Sequence, residues 1–499
     1  MRVEVGIPEE LLHFFRSPGG HSLIVKGPAG TGKTTFALQL AEELGGDAAL
    51  HYLSSRVSDE SLYNQFQWLR ERMKPWTIQR LPQPETSKGR VARLRLDQLI
   101  GKVQEGEGPE EEEKPPGTPD VTDEGIEVII GEDLPEIERA YDFVDHVLPG
   151  RGLLLIDSID GLAEHYGVPA SRLLNVIQGD LVEDSKQNVL YVLEGSGETR
   201  LDYLGDGVIS LRSVEHTGRR LRVLTIEKLR GTELRQHKFI YTLGGARLRA
   251  FRIESGLRIS SRGEWRPVPD LSKEVVSTGN QSIDMLIGGL HRSRVVSFEF
   301  GSNVATEYVD ALRLGLVCNF AAQGRGIAHV PPRKGSLDQL KEILAGHVAE
   351  SVFDQHVRVF ETTSLGGLEA PKGALHMEGS NVDSDLKWSN VEYRLPKSTH
   401  PFLSILSFDT LESVYGDEVL DELSGHIAAV RRQGDIFVGF TTPLTKSKEK
   451  LASMAYQHIK VENLDGSTVL YCEKPHTVLY NLSFSIDGGC PKAVLTPIV

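Results

Sequence analysis

Residues 23 to 41 read Leu23-Ile24-Val25-Lys26, then Gly27-Pro28-Ala29-Gly30-Thr31-Gly32-Lys33-Thr34-Thr35, then Phe36-Ala37-Leu38-Gln39-Leu40-Ala41. A short apolar run enters a glycine-rich loop, and the loop opens into a segment with apolar residues on one helical face. The order strand, loop, helix follows. The loop satisfies GxxxxGK[ST] at Gly27, Gly32, Lys33 and Thr34. Its glycines let successive backbone N–H groups wrap a phosphate at a helix N-terminus, whose dipole favours anions. The cradle is expected to run through Gly27, Pro28, Ala29, Gly30, Thr31, Gly32, Lys33, Thr34 and Thr35. Lys33 is expected to meet the β- and γ-phosphates of ATP, and the Thr34 hydroxyl to ligate Mg²⁺.

Further along, Leu153-Leu154-Leu155-Ile156 ends in Asp157-Ser158, a buried parallel strand closing on a carboxylate. Behind a phosphate loop such an aspartate is expected to hold magnesium, through water. No motif reads the base, so ATP against GTP stays open.

Composition narrows the rest. With 499 residues, 39% of them apolar and 25% charged, the chain has the make-up of a globular protein of two or three domains. Its three cysteines, Cys318, Cys472 and Cys490, lack CxxC spacing, which excludes a zinc ribbon or disulfide framework and points to a reducing cytoplasm. The start MRVEVGIPEELLHFF lacks a basic, apolar leader, and no stretch approaches about 18 apolar residues, so no membrane role is expected. The net charge is −15, of which −8 lies between Glu105 and Glu124, inside an acidic stretch at 101–125 expected to be disordered. The remaining −7 argues against strong nucleic-acid binding. Arginines gather at Arg219, Arg220 and Arg222, where solvated strand faces are expected, with binding of acidic surfaces, the chain's own acidic stretch included, as the alternative.

The first half resembles the RecA-like ATPases of the KaiC group, and most closely the archaeal gas-vesicle regulators GvpD. The matching stretches are GPAGTGKTTFALQLAEEL, YLSSRVSDESL from Tyr52, LLLIDSIDGL from Leu153 and DGVISLRSVEHTGRRLRVLTIEKLRGTEL from Asp206. In KaiC-like assemblies the KLRGT segment sends a lysine and an arginine to the nucleotide of a neighbouring subunit. The resemblance therefore implies a catalytic role for Lys228 and Arg230 beside Lys33, and a homo-oligomer. KaiC-like chains also carry paired glutamates after the strand that follows the phosphate-loop helix. Here Arg56 and Val57 stand instead, and a guanidinium cannot act as a base; Asp59 and Glu60, close by in sequence, are the alternative acids. Very slow turnover is the expectation.

A second copy is expected downstream. Val276-Ser277-Thr278-Gly279, Ile283-Asp284 and Ile287-Gly288-Gly289-Leu290 resemble the entry of a KaiC domain, followed by a strand from Val295 to Phe300. Pairing Gly27 with Gly301 sets Glu307 against Lys33 and Tyr308 against Thr34, and Asp409 is matched to Asp157. The spacing is 124 residues from Lys33 to Asp157 and 102 from Glu307 to Asp409, a difference close to the length of the acidic stretch.

The expected fold is α/β: two RecA-like P-loop domains, each a mainly parallel sheet flanked by helices. Residues 1–265 form the ATP-binding domain with insert 101–125, and residues 271–499 form a degenerate domain with no working phosphate loop. The resemblance implies an ATP-binding regulator acting on a protein partner, a transcription activator, in control of gas-vesicle formation. A KaiC-like signalling ATPase or autokinase and a RecA-group recombination mediator are the alternatives.

Overall fold

The computed structural model describes residues 6–44, 49–54, 64–72, 135–195, 197, 200–253, 263–333, 335–362 and 373–499. Arg56, Val57, Asp59, Glu60 and the acidic stretch 101–125 lie outside them. The chain forms two compact units, residues 1–215 with 221–250, and residues 216–220 with 251–499.

The first unit is built on apolar runs buried on both faces, as parallel strands require. Its strands are β1 (Ser22–Gly27), β2 (Ala49–Ser54), β3 (Gly152–Asp157), β4 (Asn188–Glu194), β5 (Gly207–His216), β6 (Arg219–Leu229), β7 (Lys238–Thr242) and β8 (Arg249–Ala250). They lie side by side in the order β2-β3-β4-β1-β5-β6-β7-β8. β2, β3, β4, β1 and β5 are parallel, and β7 runs antiparallel to β6. Side chains alternate between two cores. One face packs Leu23, Val25, Leu155 and Val192 against Phe36 and Leu40 of the helix Lys33–Leu44. The other packs Ile24, Ile156 and Tyr191 against Ile159, Leu173 and Leu174. The helix at Ile159 starts from a Ser158 cap whose hydroxyl accepts the Gly161 amide.

The second unit has a small antiparallel pair, β9 (Val275–Val276) and β10 (Leu290–His291). Its large sheet comprises β11 (Val295–Phe300), β12 (Arg325–Val330), β13 (Val357–Glu361), β14 (Ala374–His376), β15 (Thr399–Ser407), β16 (Ile436–Thr441), β17 (Gln457–Leu464), β18 (Ser467–Lys474), β19 (Tyr480–Asp487) and β20 (Cys490–Pro497). The order is β14-β13-β12-β15-β16-β11-β17-β18-β19-β20. The run β12-β15-β16-β11-β17-β18 repeats the run β2-β3-β4-β1-β5-β6 strand for strand. β13 and β14 fall in the connection between β12 and β15, the same connection that holds residues 55–151 in the first unit.

Candidate nucleotide-binding site

Parallel strands send their C-terminal ends to one edge of the sheet, and in the first unit that edge carries the glycine loop, Tyr52, Asp157 and Glu194. Close packing demands glycine at Gly27, where an added Cβ would stand 2.2 Å from the Leu211 carbonyl. Gly30 and Gly32 take φ of 75° and 92°, the left-handed region that turns the amides inward. Lys33 is buried, and its ammonium donates to the carbonyls of Gly27 at 2.6 Å and Pro28 at 3.1 Å. The Thr31 hydroxyl closes the turn on Pro28 O at 2.8 Å.

Two residues outside the motif brace the loop from behind. The Tyr241 hydroxyl donates to Thr31 O at 2.6 Å, and burial pushes its pKa up to about 12. Arg222 donates to Gly30 O at 3.1 Å and to the Tyr241 hydroxyl. Arg219 and Arg222 are buried, which corrects the expectation of solvated arginines at those two positions of β6, while Arg220 between them is exposed as expected. The guanidinium is worth burying here because carbonyl oxygens meet it.

Beside the loop, the Thr34 hydroxyl donates to Asp157 Oδ2 at 2.6 Å, and the Tyr52 hydroxyl donates to the same oxygen at 3.1 Å. A lysine, an alcohol and an acid thus converge at the start of a helix, on amides turned by glycine. That donor set fits a phosphate chain and an oxygen-loving divalent cation.

Lys228 and Arg230 lie elsewhere. β5 pairs Gly207 with Leu23 at the beginning of β1, and Arg230 N donates to Asp206 O there. Lys228 donates to Gly205 O at 2.6 Å; burial, together with Arg230 beside it, lowers its pKa. Arg230 is 59% exposed and pairs with Asp206 at 3.2 Å. Four residues of strand, about 13 Å, separate this level from Gly27. Neither group belongs to its own chain's phosphate loop.

In the second unit, face alternation shifts the sequence pairing by one residue. Val296, Phe298 and Phe300 point to the helix Thr306–Ala322, as Leu23 and Val25 point to the helix Lys33–Leu44. Phe300 therefore stands in the place of Gly27, Thr306 in that of Lys33, and Glu307 in that of Thr34. The same counting puts Ser407, last residue of β15, opposite Asp157. Asp409, matched to Asp157 from sequence, sits two residues further on in the first turn of the helix Phe408–Tyr415. No residue from 300 to 308 has a left-handed φ. Beneath this loop Arg313 is buried, paired with Asp310 at 3.1 Å and set over the Phe440 ring.

No sequence motif assigns a site role to Tyr52, Glu194, Arg222 or Tyr241. Glu194 carried a visible signal, since Asn188-Val189-Leu190-Tyr191-Val192-Leu193 is an apolar run closing on an acid, as the run before Asp157 is.

Two family models match: the P-loop domain of the GvpD gas vesicle protein over residues 11–227, and GvpD basic region 2 over residues 264–375. Residues 264–375 of this chain hold 11 basic and 13 acidic side chains, so the second region is not basic in bulk here. Protein GvpD2 of Halobacterium salinarum is 26% identical over 517 aligned residues, covering 99% of this chain and 96% of that one. Protein GvpD1 of the same organism is 24% identical over 556, with the same coverage. Among the described residues no helix is long and apolar enough to cross a membrane. With the phosphate loop inside the first match, and both matches and both relatives drawn from GvpD, the chain is similar to the GvpD gas vesicle proteins over nearly its whole length.

Proposed function

We propose that the first unit binds ATP with Mg²⁺ and that the chain is a nucleotide-dependent switch restraining gas-vesicle formation through a protein partner, a transcription activator. The observation that carries the nucleotide half is the convergence of Lys33, Thr34 and Asp157 on a loop turned by Gly30 and Gly32. Lys33 exchanges two carbonyls for phosphate oxygens. Thr34 and Asp157 hold the cation, which when bound neutralises phosphate charge. The second unit is a RecA-like domain without a phosphate site, left to structural or partner contacts.

Lys228 and Arg230 serve a neighbouring copy, because the level they occupy lies a strand's length from their own loop. A cation delivered by a neighbour neutralises charge on the transferring phosphoryl, as arginine fingers do. Turnover per chain then rises with protein concentration in wild type and stays flat in Arg230→Ala. Equal turnover per chain in both, at every concentration, defeats the assignment. The biological half is tested in a gas-vesicle-forming host: wild type lowers vesicle content and Lys33→Ala does not. Equal restraint by both proteins separates the regulatory role from nucleotide.

A further inference from the structure

We propose that Glu194 is the acid that activates the hydrolytic water, an inference that rests on the nucleotide reading of the first unit. β4 lies between β3, which ends in Asp157, and β1, which runs into the phosphate loop. Register pairs Asp157 with Val192 and Gly27 with Glu194. Glu194 is therefore one strand nearer the loop than Asp157 and two residues, about 7 Å, further along.

Its face is set as well. Val192 packs in the core under the helix Lys33–Leu44, and alternation returns Glu194 to that side. Leu50 and Tyr52 on β2, and Leu153 and Leu155 below Asp157 on β3, belong to the same face. Lys33, Thr34, Tyr52, Asp157 and Glu194 thus share one side of the sheet. The end of β4 is pinned: Glu194 N–H donates to Asp160 Oδ2 at 2.7 Å, and Gly195 bridges back to Gly27. Asp160 lies in the first turn of the capped helix Ile159–His165.

The second unit supplies an internal control. Glu299 on β11 pairs with Thr441 on β16, so the residue opposite Phe300 is Thr442. Where the phosphate loop is missing, the acid is missing too. Arg56 and Val57 cannot take a proton from water, and Glu194 can. In the step proposed, the Glu194 carboxylate accepts a proton from water as the water oxygen bonds to the γ-phosphorus. The bond from that phosphorus to the β–γ bridging oxygen breaks, and its electron pair leaves on ADP. Inorganic phosphate forms and the proton passes to solvent.

Glu194→Gln keeps shape and removes charge and basicity. Single-turnover hydrolysis with protein in excess should fall at least about 100-fold. A carboxylate facing the terminal phosphate also repels it, so the variant should bind ATP about fivefold more tightly while ADP binding is unchanged. A merely structural role predicts weaker binding of both. Unchanged turnover, equal loss of ATP and ADP, or a wild type that holds ATP without hydrolysing it each overturns the inference and leaves nucleotide binding standing. A wild type that binds no nucleotide in titration calorimetry overturns the underlying reading and Glu194 with it.

Discussion

Between β1 and its helix the first unit uses five residues, Pro28 to Gly32, and between β11 and its helix the second unit also uses five, Gly301 to Ala305. The flanking strands hold the same places in their sheets. In the first loop glycines take left-handed φ, a lysine closes on the turn, and an alcohol meets an acid. In the second loop the backbone stays in ordinary regions, an added Cβ at Gly301 would meet nothing closer than 3.5 Å, and Thr306, Glu307 and Ser407 replace Lys33, Thr34 and Asp157. Below it, burial lowers the pKa of Arg313 against the pull of Asp310 and Asp409. The comparison teaches that apolar strands set this architecture, while a handful of polar residues at one sheet edge decide whether phosphate is held.

The largest effect separates the loops outright. Lys33→Ala should weaken ATP binding at least about 100-fold, from loss of charge-assisted bonds to two phosphates. Calorimetry should return one nucleotide per wild-type chain. A second site per chain would show that Glu307 does not exclude phosphate, and the contrast would collapse.

A smaller effect tests what the units have in common. Burial holds the His51 pKa down to about 4 in the first unit, with Arg139 adding to the shift, and the His329 pKa down to about 3 in the second, with Arg313 adding. An unfolded histidine titrates near 6.5. Below that value the unfolded chain binds protons that the folded chain refuses, so stability is full above about pH 6.5 and is lost as pH falls toward the folded values. Each residue should remove about 2 kcal/mol between pH 7 and pH 5. His51 stacks on Phe143, and among the described residues neither ring nitrogen has a hydrogen-bond partner. His51→Phe should therefore flatten the first unit's acid slope in urea titrations. An unaltered slope would place the acid sensitivity elsewhere.

The smallest effect sharpens the loop itself. Tyr241→Phe removes the hydroxyl that supports Thr31 O, at a cost of about 1 kcal/mol and a several-fold weaker grip on ATP. Binding equal to wild type would mean that the glycines hold their shape without the brace.

Much of this was legible in the sequence and some was not, for physical reasons. GPAGTGKTT after LIVK announces strand, loop and helix because phosphate chemistry constrains nearly every position, and LLLID announces its partner strand. The second unit's strands were legible from VVSFEF and ILS, but their register was not. Gly301 invites pairing with Gly27, whereas the strand's alternation gives that place to Phe300, and a one-residue slip moves every side chain to the other face. Asp409 misled because an acid after an apolar run looks alike whether it ends the strand or sits in the next helix. Arg222 was visible only as one of a run of arginines and Tyr241 not at all, since a bond to a backbone carbonyl puts no demand on its partner's side chain.

The register of the second loop also fixes how far the second unit stands, in mutational steps, from holding a nucleotide. Glu307→Lys would put a cation one position past the place of Lys33, on the wrong side of the helix start. A working cradle would need lysine for Thr306, a hydroxyl for Glu307, an acid for Ser407 and glycines able to turn left-handed between Phe300 and Thr306, all together. The two loops therefore differ at every one of these positions at once.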